Sequence, residues 1–340
     1  MKKLLNTLYV LTPESYLYVR NQTVGIKLGG EEKYSVPAGN LDSIVCFGVN
    51  TVSTPFMGFC AENGIALSFL SPQGRFLGRV QGGVNGNVLL RQAQYHLLDD
   101  DSRRLETVKN ILLCKLRNSR EVLLRSGRNQ KDDSASAALT AAAKSIAAVA
   151  QDLTLAESLD SLRGLEGVAA AQYFACFDTM LYASPLKFKE RSRRPPKNEV
   201  NAVLSFVYTI LGNEITAALE AVGLDPAAGI MYSLRPGRNS FALDLLEELR
   251  APLCDRFVIS LFNQHRLDEK DFDSDGEGVY LNDKGRRTVL TAWQQRKQET
   301  VLHPFLNEKL QIGIIPHSQA MLYARYLRGD LDIYPPYVWR

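Results

Sequence analysis

The hydrophobic period changes once along the chain, near residue 92, and that change restricts the fold more than any other feature. Before it, short alternating or apolar runs occupy residues 8–11, 16–19, 24–28, 43–47 and 66–70. Turn-forming stretches such as Arg20-Asn21-Gln22, Gly29-Gly30-Glu31 and Pro72-Gln73-Gly74 separate them. Runs of that length with that punctuation are strands. One short helix is expected over 55–62, closed by Asn63-Gly64. Beyond 92 the spacing turns helical, with helices expected over 101–127, 133–158, 164–182, 198–222, 239–266, 285–299 and 316–328. The stretch 184–196 reads as a linker because Pro195-Pro196 cannot continue a helix. No internal repeat is visible. The expected class is α+β: a β-sandwich-like domain over 1–90, then a larger all-α domain over 91–340.

At 340 residues, 45% of them hydrophobic, the chain can bury a sizeable core in one large or two ordinary domains. No run of about 18 apolar residues is present, so no membrane span is expected. Lys2 and Lys3 precede an apolar start, but Asn6 and Thr7 interrupt it and Pro13-Glu14 ends it. Without a small-residue cleavage site, this start reads as a first strand in a cytoplasmic protein. The five cysteines, Cys46, Cys60, Cys114, Cys176 and Cys254, form no C-x-x-C pair and mostly lie among apolar neighbours. They read as buried thiols rather than a zinc site or a disulfide framework.

The net charge of +3 points to no partner, but its distribution does. Basic residues gather over 115–131, over 187–197 (Arg193 and Arg194 among them) and over 284–297. Each run alone reads equally as a solvated face. Three of them within the helical part favour a phosphate backbone as partner.

Two stretches carry candidate chemistry. Glu166 stands among small and apolar residues, Leu165, Gly167, Val168 and Ala169. Small residues admit a neighbouring helix, which would bury the carboxylate in a site that supplies a cation or hydrogen bonds; the other reading is a helix-start glutamate favoured by the dipole. The second stretch is GIMYSLRPGRNSFALDLLEELR, 229–250. Asp244, Glu247 and Glu248 fall at i, i+3 and i+4, beside an apolar stripe of Phe241, Leu245 and Leu249. They form either a surface acidic face paired with Arg235 and Arg238, or the oxygen ligands of a divalent cation with those arginines on a phosphate.

Taken together, these stretches resemble the CRISPR-associated integrase family, the first Cas protein, most closely its I-C subtype. The resemblance runs nearly end to end, and includes Gly64-Ile65 through Gly74-Arg75-Phe76-Leu77-Gly78-Arg79, then Leu165-Glu166-Gly167 and Arg194-Pro195-Pro196. It continues through Arg235-Pro236-Gly237-Arg238 and Leu243-Asp244-Leu245 to Pro316-His317 and Tyr326-Leu327-Arg328-Gly329-Asp330. It implies a homodimer that assembles with a dimer of the second Cas protein and, in I-C systems, with the fourth. It also implies a Mg2+- or Mn2+-dependent nuclease on double-stranded and branched DNA, which inserts spacer DNA when a 3′ hydroxyl attacks a phosphodiester at a repeat boundary.

The family's metal ligands are a glutamate, a histidine and an acidic residue. Glu166 and Glu247 match the first and last, and Asp244 is a further family acid. Tyr232 stands where the histidine is usual, and a phenol binds Mg2+ or Mn2+ poorly at neutral pH. Arg193, Arg194, Arg235 and Arg238 are expected on DNA, and Glu248 is expected to face solvent. Tyr173 and Trp293 are expected in the core, the other reading being stacking on splayed bases. The aromatic tail over 330–340 either docks on a partner or covers a groove of its own domain. Three readings follow: a metal-dependent integrase, a DNA-binding scaffold of the same family weakened by Tyr232, and an unrelated helical protein with charged faces.

Overall fold

The computed structural model describes residues 6–83, 88–232 and 234–339. Lys2 and Lys3 of the apolar start lie outside the described residues, as does Arg340 of the tail. Two compact units form. One comprises Met1–Asn85, Asn282–Val301 and Leu310–Ile315; the other comprises Gly86–Leu281, Leu302–Lys309 and Pro316–Arg340.

The first unit begins with β1 (Thr7–Val10), β2 (Tyr16–Arg20), β3 (Thr23–Leu28), β4 (Glu31–Pro37), β5 (Ser43–Phe47) and β6 (Thr51–Val52). Helix α1 (Thr54–Glu62), β7 (Ala66–Leu70) and β8 (Phe76–Val80) follow. They build two four-stranded sheets, ordered β1-β5-β7-β8 and β4-β3-β2-β6. Strands β5 and β7 run parallel, so they need a crossover, which α1 supplies. The Ser53 hydroxyl caps α1 by accepting the Phe56 N–H at 3.3 Å. Leu17, Val24 and Ile26 from one sheet and Ile44, Cys46 and Leu67 from the other share a core with Phe56 and Cys60. That is the sandwich-like packing the alternation predicts. Strand β4 went unread because it is an edge strand, largely exposed and carrying Glu31, Glu32 and Lys33.

The second unit is helical: α2 (Val88–Asp99), α3 (Asp101–Arg128), α4 (Asp133–Leu155), α5 (Leu159–Ala175), α6 (Phe177–Met180), α7 (Glu199–Val222), α8 (Ser240–Leu249) and α9 (Arg256–Asn263). Asp100, Asp132, Ser158 and Asn198 cap α3, α4, α5 and α7 through their side chains. The 28-residue α3 is the spine, packed by α4, α5 and α8. Helix α7 is long and apolar enough to cross a membrane by length and composition, contrary to the reading that no segment is. Most of its apolar window, 61%, is buried inside the protein, and Val200, Val203, Leu204 and Leu219 are fully covered.

The chain continues through β9 (Phe272–Ser274), β10 (Val279–Leu281), α10 (Asp283–Gln298), β11 (Thr300–Leu302), β12 (Lys309–Gln311) and α11 (Ile315–Leu327). Two departures follow. The part beyond residue 90 is not purely helical, because β9 pairs with β10 and β11 with β12. Helix α10 joins the first unit: Gln294 donates to the Thr7 carbonyl at 2.8 Å, and Trp293 is 1% exposed. Trp293 and Tyr173 are both in cores, as expected.

The single helix expected over 239–266 is interrupted by a π-helical stretch, Arg250–Asp255. Pro252 is the cause. It has no N–H for the carbonyl of Glu248, four residues back. The Asn118 amide, from α3, takes that carbonyl at 2.8 Å instead.

Candidate active site

Glu166 lies in the middle of α5, about two turns after its start at Leu159. The helix-start reading therefore fails, since the dipole acts within the first turn. Its carboxylate turns toward α3, where Oε1 receives the Lys115 ammonium.

The three carboxylates of α8 are all buried: Asp244 and Glu248 at 0% and Glu247 at 1% exposure. The surface-face reading and the solvent-facing position of Glu248 are both corrected. Arg235 and Arg238 are not their partners among the described residues. Each carboxylate has its own set of donors, which is how three like charges share one helix.

Asp244 holds a loop. Its oxygens accept the backbone N–H groups of Ile230 at 2.6 Å, Met231 at 3.1 Å and Tyr232 at 3.4 Å. Gly229 makes this approach possible, because a Cβ there would lie 2.5 Å from Cβ of Ser240. The loop's carbonyls are held as well: Arg104 donates to Ile230 at 2.7 Å, and Arg163 to Met231 at 3.0 and 2.8 Å. Burial still pushes the Asp244 carboxyl up to about 7, against those three donors. Asp244 thus positions Tyr232 and leaves the site's centre to others.

Glu247 is that centre. Burial alone would raise its pKa, but the Arg250 and Lys115 charges outweigh it and hold the carboxyl at about 2. The Arg250 Nη1 lies 3.0 Å from Oε1, and the Tyr232 hydroxyl donates to the same oxygen at 2.7 Å. The Lys115 Nζ lies 2.6 Å from Oε2. That contact is off the hydrogen-bond direction, so Oε2 is a buried oxygen with a charge beside it but no aligned donor. Burial, and then the Glu247 carboxylate, push the Tyr232 phenol above its ordinary value, so it stays protonated. The Arg238 guanidinium covers the Tyr232 ring, 4.6 Å from its centroid.

Glu248 points away from this centre, toward the tail. Tyr334 donates to Oε1 at 2.6 Å, Gln319 at 3.1 Å, and the Tyr337 N–H reaches Oε2 at 2.8 Å. Tyr334 and Tyr337 are each 1% exposed, so the tail covers its own unit.

A pocket opens beside the centre, lined by Lys115, Glu166, Tyr173, Arg193, Arg250 and Asp255, among others. Asp255 accepts the hydroxyls of Tyr208 at 2.5 Å and Tyr173 at 3.0 Å, and burial raises it to about 6. Arg193, Arg194 and Arg235 are exposed.

Sequence reasoning found Glu166, Glu247, Asp244 and Tyr232, and the fold brings all four together. It missed Lys115, Arg250, Asp255, Tyr208 and Asn118. The i+3 spacing of Arg250 after Glu247 was a readable signal; Lys115 was hidden within a basic run.

Among the described residues, no group of three His, Cys, Asp or Glu side chains could hold a metal. Two carboxylates, Glu166 and Glu247, do converge on one cation, and Oε2 of Glu247 lacks an aligned donor. Hard oxygen donors around one point fit Mg2+ or Mn2+; the protonated phenol of Tyr232 adds no ligand. Three of the four histidines do not replace it: His303 is buried on Gln319 at 3.0 Å, and His96 and His265 are exposed.

The sequence matches the family described as CRISPR associated protein Cas1 over residues 8–295. A CRISPR-associated endonuclease Cas1 of Chlorobaculum tepidum is 45% identical over the full length of both chains. A Cas4/Cas1 fusion of Rhodospirillum rubrum is 32% identical over 97% of this chain and 57% of the fusion. Among solved structures, a casposase bound to integration product superposes with a TM-score of 0.83 at 22% identity, covering 98% of this chain and 95% of the other. A Cas6-RT-Cas1–Cas2 complex gives 0.82 at 22% identity, covering 100% of this chain and 36% of that one. At that identity the two structures speak to fold alone.

Proposed function

The chain belongs to the CRISPR-associated Cas1 family, and we propose that it inserts spacer DNA into a CRISPR array as a divalent-metal-dependent integrase and DNA endonuclease. The observation that carries this reading is the convergence of Glu166 and Glu247, from separate helices, on one cation beside an open, basic pocket. Glu166 and Glu247 would hold Mg2+ or Mn2+, which supplies Lewis-acid polarisation of a phosphodiester when bound.

The remaining work falls to the protein's own groups. Arg250 keeps Glu247 ionised, so it is a ready ligand at any ordinary pH. Asp244 fixes the loop that carries Tyr232 and, through it, Arg238. Arg193 at the pocket and the exposed Arg194 and Arg235 offer guanidinium groups to phosphates. A 3′ hydroxyl held in the pocket would meet the scissile phosphate beside the carboxylates; positioning of that kind supplies much of the rate in phosphoryl transfer.

The proposed partners are double-stranded and branched DNA, a second copy of this chain, a dimer of the second Cas protein and the fourth Cas protein. A subtype I-C system in the cytoplasm is the proposed setting. A relative in which Cas4 and Cas1 are fused supports the pairing with the fourth Cas protein.

A second reading has its own observation: Tyr232 donates to Glu247 where an imidazole would ligate. In that reading the chain holds DNA as a scaffold and reacts weakly. Cleavage of a labelled branched duplex in Mn2+ separates the two. The integrase reading expects wild-type cleavage that a chelator stops. The scaffold reading expects wild-type binding without cleavage, restored by Tyr232→His.

A further inference from the structure

Three helices deliver one charged group each to a single point. Lys115 comes from α3, Glu166 from α5 and Glu247 from α8. The Lys115 ammonium touches Oε1 of Glu166 and lies 2.6 Å from Oε2 of Glu247. With Arg250 on the other oxygen of Glu247, two carboxylates face one ammonium and one guanidinium. The cluster is already neutral, so the carboxylates need no metal to coexist.

We infer that Lys115 is a resident counter-ion that a divalent cation must displace, so that metal loading and release of Lys115 into the pocket are one event. This rests on the reading of Glu166 and Glu247 as metal ligands. An ammonium and a divalent cation cannot share the same two oxygens, because like charges repel strongly at contact distance in a largely buried site. The exchange is feasible at both ends. The ammonium is an imperfect partner for Oε2 of Glu247, which it meets off the hydrogen-bond direction. A spherical ion bonded to oxygen has no such directional demand. Lys115 also has somewhere to go: its side chain lines the open pocket, which Arg193 and Arg250 line as well. There, a released ammonium would face whatever phosphate the pocket admits. The metal-free protein is thereby kept ordered, at the expense of metal affinity.

The test is Mn2+ binding to the full chain, read as loss of the free-ion electron paramagnetic resonance signal, for wild type, Lys115→Met and Lys115→Arg. Removing the competing charge should tighten Mn2+ binding by about tenfold or more in Lys115→Met. Lys115→Arg, which keeps the charge, should bind no more tightly than wild type. The thermal midpoint of Lys115→Met should fall below wild type in chelator and recover more on adding Mn2+. Equal Mn2+ affinity in wild type and Lys115→Met would overturn the inference while leaving the metal reading intact. Absence of Mn2+ binding in all three would overturn both. A measurement on wild type alone covers the case in which Lys115→Met does not fold. Acylation of Lys115 by an amine-reactive ester, read by mass spectrometry, should quicken severalfold on adding Mn2+, and an unchanged rate would reject the displacement.

Discussion

Three neighbouring carboxylates on α8 have three different environments, and each sets a different test. Asp244 holds the loop, Glu247 the cation and Glu248 the tail. Asp244→Ala would strand three backbone donors, one of them on Tyr232. A loss of roughly 3 kcal/mol in chemical denaturation is expected, since unsatisfied buried groups lose their full desolvation.

The pH dependence follows from the direction of each shift. Asp244, Glu248 and Asp255 are raised by burial from 3.8, 4.5 and 3.8 to about 7, 7 and 6. The folded state therefore binds their protons more tightly than the unfolded chain. Their stabilisation is complete below the unfolded values and is lost as pH rises through the folded ones. Glu247, held at about 2, acts oppositely: its stabilisation is present above 4.5 and lost only as pH falls toward 2. Between about pH 5 and 8 the melting temperature should fall, and Glu248→Gln should flatten that slope, a difference on the order of 2 kcal/mol. A wild-type melting temperature that rises across this range would refute the assignment.

At the scale of elements, the junction of α8 and α9 matters most. Pro252 opens the ladder at the carbonyl of Glu248, and Asn118 closes it from α3. The same Asn118 amide reaches the Tyr337 carbonyl at 2.8 Å, and its oxygen takes the Trp339 N–H at 2.8 Å. One buried side chain thus joins the spine, the end of α8 and the tail. Asn118→Ala should cost roughly 3 kcal/mol in denaturant unfolding and free the tail to limited proteolysis.

None of that junction was legible in the sequence. Helices α3 and α7 and strands β2, β3, β5 and β7 were, because their own apolar period defines them. The π-helical stretch depends on a distant asparagine, and the placement of α10 on a contact with Thr7. Likewise the spacing of Asp244, Glu247 and Glu248 revealed a shared helix but not that each is buried, Asp244 on a loop, Glu247 against Lys115 and Arg250, and Glu248 under the tail. Lys115 reads as one more base in a basic run until the fold turns it inward.

Over the whole molecule, the three basic runs prove unequal. In the third, Arg286 and Lys297 are buried, and Arg296 pairs with Glu299. The second keeps Lys187, Lys189, Arg193, Arg194 and Lys197 exposed, and Arg193 also lines the pocket. That run is where DNA binding should be felt. Arg193→Ala combined with Arg194→Ala should weaken duplex binding and lower the slope of log affinity against log salt by about 2. An unchanged slope would move the DNA elsewhere.

If Glu166 and Glu247 carry strand transfer, the reaction to measure is the joining of a 3′-hydroxyl duplex to a repeat-bearing plasmid in Mn2+ with the second Cas protein, comparing wild type, Glu166→Gln and Glu247→Gln. A joined product is expected from wild type, with a loss of at least about a hundredfold in both variants and duplex binding retained by all three. A joined product at the wild-type level from either variant would contradict that role.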